Sequence, residues 1–153
     1  MHKNKSLSRY LCVQAVYQMA MTDKSFNEIL EEFLDFHLND IALDFEKKIK
    51  VKNYKVDRSY FMKLFENYDT KKELIKSLIE SNIGKSWTIE RLPRVLSSII
   101  EVSVSEMMIS PNLTLGIVAS EYIILTETFC SENESSFVNA LIENIFKSIK
   151  VKI

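Results

Sequence analysis

The chain has 153 residues and a formal net charge of −1, with 46% apolar and 27% charged residues. That length fits one domain able to bury about two-thirds of its unfolded surface, and the apolar content excludes wholesale disorder. The near-zero charge excludes a global field that gathers nucleic acid, and Cys12 and Cys130 are too few for a disulfide framework or a structural zinc site.

The first decision along the chain concerns residues 9–20, RYLCVQAVYQMA, which follow the basic or neutral start MHKNKSLS. A secretion signal needs an unbroken apolar stretch and small residues before its cleavage site, but Gln14 and Gln18 interrupt this run. Tyr10, Val13 and Tyr17 are spaced three and four apart, and Leu7, Leu11 and Ala15 form a stripe beside them. This is the pattern of a folded helix, with Ser8 and Arg9 off its apolar face and a cationic arm in front. No stretch reaches the roughly 18 apolar residues that a membrane span requires. A cytoplasmic location follows as the expectation.

Scarce punctuation, two glycines and two prolines, argues against a β-rich protein. Helix starts are frequent instead. Ser25–Glu28, Thr70–Glu73 and Ser131–Glu134 have the spacing of capping boxes. After Ser25, Phe26, Ile29, Leu30, Phe33 and His37 share one face. Residues 58–68 and 71–83 read as two further helices, with Gly84 placed to end the second. Residues 92–109 carry Leu92, Val95, Ile99, Val102 and Glu106, with Pro93 in the first turn. Pro111 separates that helix from one at about 114–129, and the last runs from about 135 to 149. The expected fold is all-α, about seven helices in one domain, with a seam at 84–90 between halves at about 6–83 and 88–150.

Two basic asymmetries stand out. Residues 1–22 carry Lys3, Lys5 and Arg9 with no acid, and residues 46–58 hold six cations against Glu46 and Asp57. Catalytic constellations are missing from the pattern. The two glycines are too far apart for a phosphate-cradling loop. His2 falls in the arm, His37 on an apolar face, and Cys12 among apolar neighbours, where a small core thiol is the ordinary role. A binding module, with no cofactor and no metal, is the natural class.

The string Arg9-x-x-x-Val13-Gln14-Ala15-Val16-Tyr17-Gln18 resembles the first helix of the NusB family. Leu92-Pro93-Arg94-Val95, Ile99 and Glu106 are similar to that family's LPRV…IL…YEL pattern, and Glu121 falls at the Glu of its INEA segment. Phe137-Val138-Asn139 and Leu141 resemble its KFVNG-x-L. The resemblance spans about residues 9 to 149. It implies two packed three-helix sub-bundles and a transcription antitermination factor, not an enzyme. Such a factor binds boxA-type single-stranded RNA with the ribosomal protein NusE and joins other Nus factors on RNA polymerase, most familiarly in ribosomal RNA operons. The implied RNA surface is Lys3, Lys5 and Arg9 on phosphates, Gln14 and Tyr17 on the first helix, and Phe137 and Asn139 at the start of the last. Cations tracking a backbone and aromatics under splayed bases are what a single strand requires. Arg91, Arg94, Leu96 and Ser97 lie where the family meets NusE.

The chain departs from the family in several places. The usual run of arginines is reduced to two lysines and one arginine, and lysine lacks the bidentate fork. Ser136 and Ala140 replace a lysine and a glycine, and Leu96–Ser97 replaces an acidic–basic pair. An adaptor that binds only protein is the alternative. A methyltransferase carrying such a domain is disfavoured, since residues 1–153 hold no glycine-rich loop. A homodimer is left open. The run at 47–58 is expected to compensate for the thin arm; unchanged RNA affinity and salt slope after charge reversal at Lys50, Lys52 and Lys55 would refute this.

Overall fold

The computed structural model describes residues 2–37, 56–84 and 88–151. Helices are the only regular structure among them. These are α1 (His2–Met21), α2 (Phe26–Glu32, continued by a π-type turn Phe33–His37), α3 (Arg58–Thr70), α4 (Lys72–Asn82), α5 (Arg94–Ile109), α6 (Leu115–Phe129) and α7 (Ser135–Val151). Short 3₁₀ turns, Ile89–Arg91 and Glu132–Glu134, precede α5 and α7. The all-α expectation and its helix boundaries hold to within a few residues.

Local chemistry accounts for most of the ends. Ser25 and Glu28 cap α2 reciprocally: the Glu28 N–H donates to Ser25 Oγ (3.2 Å) and the Ser25 N–H to Glu28 Oε1 (3.1 Å). Each bond satisfies a donor that the first helical turn leaves without a partner. The Ser131 N–H likewise donates to Glu134 at 3.1 Å. Asp57 caps α3 through the Tyr60 N–H (3.0 Å), and Thr114 caps α6 through the Ile117 N–H (3.2 Å). Gly84 sits at φ +96, where a side chain is disfavoured, just after α4.

Three expectations are corrected. Thr70 is not a cap, because α3 runs through it and Lys71 alone joins α3 to α4. The Lys71 N–H donates to Asn67 O and its carbonyl accepts from Ile75, so the two helices nearly continue each other and no side-chain cap is needed. The helix expected from residue 92 starts at Arg94. Pro93 keeps Leu92 extended (φ −77, ψ 146) and is itself the cap. The arm expected before the first helix is helical from His2, with nothing in the sequence to break it.

Helix α5 is the axis of the fold. Every residue from Leu96 to Met107 is buried, and α1, α3, α4, α6 and α7 all pack against it. It therefore draws neighbours from both sides of the expected seam, of which residues 85–87 lie outside the described residues. Four small serines let the surrounding helices approach. Ser97, Ser98 and Ser103 donate to carbonyls three or four residues back, and Ser105 donates to Leu64 O on α3 at 3.0 Å. Phe26, Phe33, Phe61 and Phe65 form an aromatic cluster, with centroids 4.7–5.9 Å apart in successive contacts, that fastens α2 to α3. The side chain of His37, expected on the same face as Phe26 and Phe33, lies outside the described ones.

Candidate nucleic-acid interface

The start of α1 is held by a buried polar network. Arg9, though off the apolar stripe, is only 3% exposed, because α1 is enclosed on several sides. Its Nε and Nη2 donate to the two oxygens of Glu106 on α5, each at 2.7 Å, and its Nη1 donates to Glu121 on α6. Glu106 is fully buried. It also accepts from the Tyr122 hydroxyl (2.7 Å) and from Tyr60, which shares a 2.8 Å bond with Ser110. Ser6 donates to Glu121, and Ser8 to the Asp57 carbonyl at 2.7 Å. Four helices thus meet on one ion pair.

The charges agree with that arrangement. Burial alone would lower the Arg9 pKa, but the hydrogen bonds and charge of Glu106 outweigh it and hold the guanidinium above its usual value. Burial, reinforced by the nearby Glu106 carboxylate, pushes the Tyr60 and Tyr122 hydroxyls up, so both stay neutral donors. Burial also raises the Cys12 thiol, which keeps it an inert core residue. No group of side chains suited to a metal ion occurs among the described residues, and no described helix is long and apolar enough to cross a membrane.

The expected RNA residues separate accordingly. Arg9 is withdrawn as a phosphate contact, since its three donors in use all face carboxylates inside the protein. Lys5, one turn earlier on the same face, is exposed, with Nζ 4.9 Å from the Tyr60 ring centroid. It lines a cleft of about 310 Å³ together with Arg9, Tyr60, Ile109, Asn112 and Ile117. The backbone of Lys3 lies in the first turn of α1, and its side chain lies outside the described ones. Gln14 and Tyr17 are half-buried further along α1. Phe137 is half-buried against the core and Asn139 exposed, both in the first turns of α7. The lysine run falls outside the described residues except at 56–58, where the Arg58 Nη2 donates to Leu34 O at 3.3 Å.

On the expected protein-partner side, Arg91 is exposed and Arg94 half-buried, whereas Leu96 and Ser97 are buried and are withdrawn as surface contacts. Ser97 packs beneath Arg94, whose Nη1 donates to it at 3.2 Å. Arg94 also approaches Glu101 at 3.3 Å, leaving Glu101 Oε1 and Arg94 Nε without hydrogen-bond partners among the described residues. Burial raises Glu101, 7% exposed, to about 7, against the pull of Arg94, Lys72 and Lys76.

The roles of Glu106 and Tyr60 were missed in the sequence, although a clue existed. Glu106 lies on the same stripe as Val95, Ile99 and Val102, and a buried carboxylate needs a buried cation. Arg9 is the sole cation within the apolar stretch that starts the chain. No comparable signal marks Tyr60 or Tyr122.

Two predictions follow from this geometry. Arg9→Ala strands the Glu106 carboxylate and should cost about 3–5 kcal/mol, read as a lower urea midpoint, while Arg9→Lys, lacking the fork, should recover only part. Glu101 holds its proton more tightly folded than unfolded, so its stabilising contribution is complete below about pH 4.5 and is lost as pH rises to about 7. Glu101→Gln should therefore exceed the wild type in stability by about 1–3 kcal/mol near pH 8, with the difference closing near pH 4.5 in urea unfolding.

Comparison with known proteins covers nearly the whole chain. The NusB transcription antitermination protein of Novosphingobium aromaticivorans is 27% identical over 97% of this chain and 96% of its own length. That of Clostridium novyi is 25% identical over 95% and 99%. The fold is similar to NusB in a crystal structure of the antitermination factors NusB and NusE in complex with double-stranded RNA (TM-score 0.70, 20% identity, 97% and 99% covered). It is also similar to the solution structure of NusB from Aquifex aeolicus (TM-score 0.69, 22% identity, 99% and 92% covered). The NusB family model matches residues 6–147, and the chain belongs to the NusB family.

Proposed function

We propose that this protein is a transcription antitermination factor that binds boxA-type single-stranded RNA together with the ribosomal protein NusE. With other Nus factors it helps RNA polymerase read through terminators, especially in ribosomal RNA operons, in the cytoplasm and without catalysis or cofactor. The observation that carries this reading is the family match along residues 6–147, with full-length relatives named as antitermination proteins. The physical features of α1 support it. Its first turn holds Lys3 and Lys5 nearby and no acid, so two cations crowd the positive end of the helix dipole. A phosphate at that end relieves both charges and accepts from free backbone N–H groups.

In this reading Lys3 and Lys5 neutralise phosphates, and Gln14, Tyr17, Phe137 and Asn139 contact bases or sugars. Arg9 acts indirectly by fixing the helix start. Arg91 and the exposed part of Arg94 face NusE. Lysines 47–55 remain candidates for extra phosphate contacts.

The adaptor that binds only protein stays in view for a specific reason. With Arg9 buried, two lysines remain of the three expected arm cations. At about 0.7 counterions per phosphate on a single strand, two contacts give a salt slope near 1.4, about a 7-fold loss from 50 to 200 mM. Fluorescence anisotropy of a labelled boxA RNA, with and without NusE, checks this. Lys5→Glu should weaken RNA binding about 10-fold and flatten the salt dependence, leaving the unfolding midpoint within experimental error. NusE binding with no RNA binding under any condition would favour the adaptor.

A further inference from the structure

We infer that the cleft between the start of α1 and the loop leading into α6 accepts one unstacked nucleobase of the RNA strand. The inference rests on the RNA-binding reading above and assigns a base-reading role to Asn112, which neither the sequence pattern nor the family match singled out. At about 310 Å³ the cleft lies at the low end of the roughly 300–1,000 Å³ typical of small-molecule sites, enough for a ring but not for a folded segment.

The interior of the cleft selects a neutral ligand. Arg9 on its wall is already answered by Glu106 and Glu121, so a phosphate placed inside would gain little attraction from it. The walls suit a flat, weakly polar ring. Tyr60 contributes an aromatic ring to the lining, and Ile109 and Ile117, both half-buried, contribute apolar surface. Tyr60 cannot readily serve as a hydrogen-bonding group, because Glu106 and Ser110 already engage its hydroxyl.

Asn112 supplies the missing specificity. It is exposed on the rim, and its amide makes no hydrogen bond among the described residues. An amide presents a donor and an acceptor side by side, matching the Watson–Crick edge of a splayed base. Lys5 completes the arrangement as a movable cover. Its ammonium rests over the Tyr60 ring and carries no ion pair among the described residues. A phosphate arriving at the start of α1 draws that ammonium outward and bares the ring to the adjoining base. One strand thus places a phosphate at the mouth and a base within.

The test is anisotropy titration of the full chain, with and without NusE, against a labelled boxA RNA and a series in which one nucleotide at a time is abasic. One abasic position should weaken the wild type about 10-fold. Asn112→Ala should weaken intact RNA by a similar factor with an unchanged salt slope, yet bind that abasic RNA within about twofold of the wild type. Ile117→Trp, which fills the cleft, should behave as Asn112→Ala does, with its melting curve showing that it is folded. If Asn112→Ala binds every RNA as the wild type does while Lys5→Glu loses affinity, the cleft inference falls and the RNA-binding reading stands. Loss of NusE binding with RNA affinity intact would assign the cleft to the protein partner and likewise overturn it. If the wild type binds no RNA even with NusE, both readings fall together.

Discussion

Removing a guanidinium and a carboxylate from water costs several kcal/mol per ion, and their mutual attraction repays this only when the geometry is good and the remaining lone pairs are occupied. Arg9 and Glu106 meet both conditions, with two parallel bonds of 2.7 Å and the hydroxyls of Tyr60 and Tyr122 on the same carboxylate. Glu121 takes a third donor of Arg9. Because the participants come from α1, α3, α5 and α6, satisfying this one pair fixes the rotation and height of α1 against three other helices. A purely apolar contact surface would tolerate small slides between helices; a bidentate pair closed by two phenols tolerates very little.

That constraint reaches the surface. Lys5 lies one helical turn before Arg9, so the placement of Arg9 also sets where Lys5 emerges, over Tyr60 and beside the cleft. Tyr60 has two roles at once, closing the network with its hydroxyl and lining the cleft with its ring. This part of the surface is therefore organised from inside: Arg9 is used to position the first helix, and Lys5 is left exposed, where the proposed function has it meet phosphate. In the proposed function, a surface built this way would bind RNA weakly by charge alone and draw the rest of its affinity from shape, base contacts and a second protein. This is coherent with a factor that works inside a larger assembly.

Helix α5 shows a second economy of construction. Its serines, Ser97, Ser98, Ser103 and Ser105, would read as a polar face if periodicity were taken alone, yet all are buried. Their hydroxyls return to nearby carbonyls, so they act as small spacers that admit five neighbouring helices. Glu101, in contrast, has only a poorly aligned arginine, which offsets part of the rise that burial imposes on its carboxyl.

Much of the fold was legible in the sequence, because helix ends obey local rules. Ser25 and Glu28 are three residues apart and can find each other in any helix that starts there; Gly84 and Pro111 act through their own backbone geometry. Thr70 and Glu73 have the same spacing and failed, since a helix that hardly stops has no free donors to cap. The site was less legible. Arg9 in a basic start is indistinguishable, by charge, from a phosphate ligand, and Leu96–Ser97 in a family motif is indistinguishable from an interface. Residue order by itself determined the helices, their approximate limits and the family, because propensity, capping and periodicity act over a few neighbouring positions. Only the tertiary structure decided which charges are interior and which are exposed, because the partner of Arg9 lies 97 positions away on a helix that packing alone brings beside it.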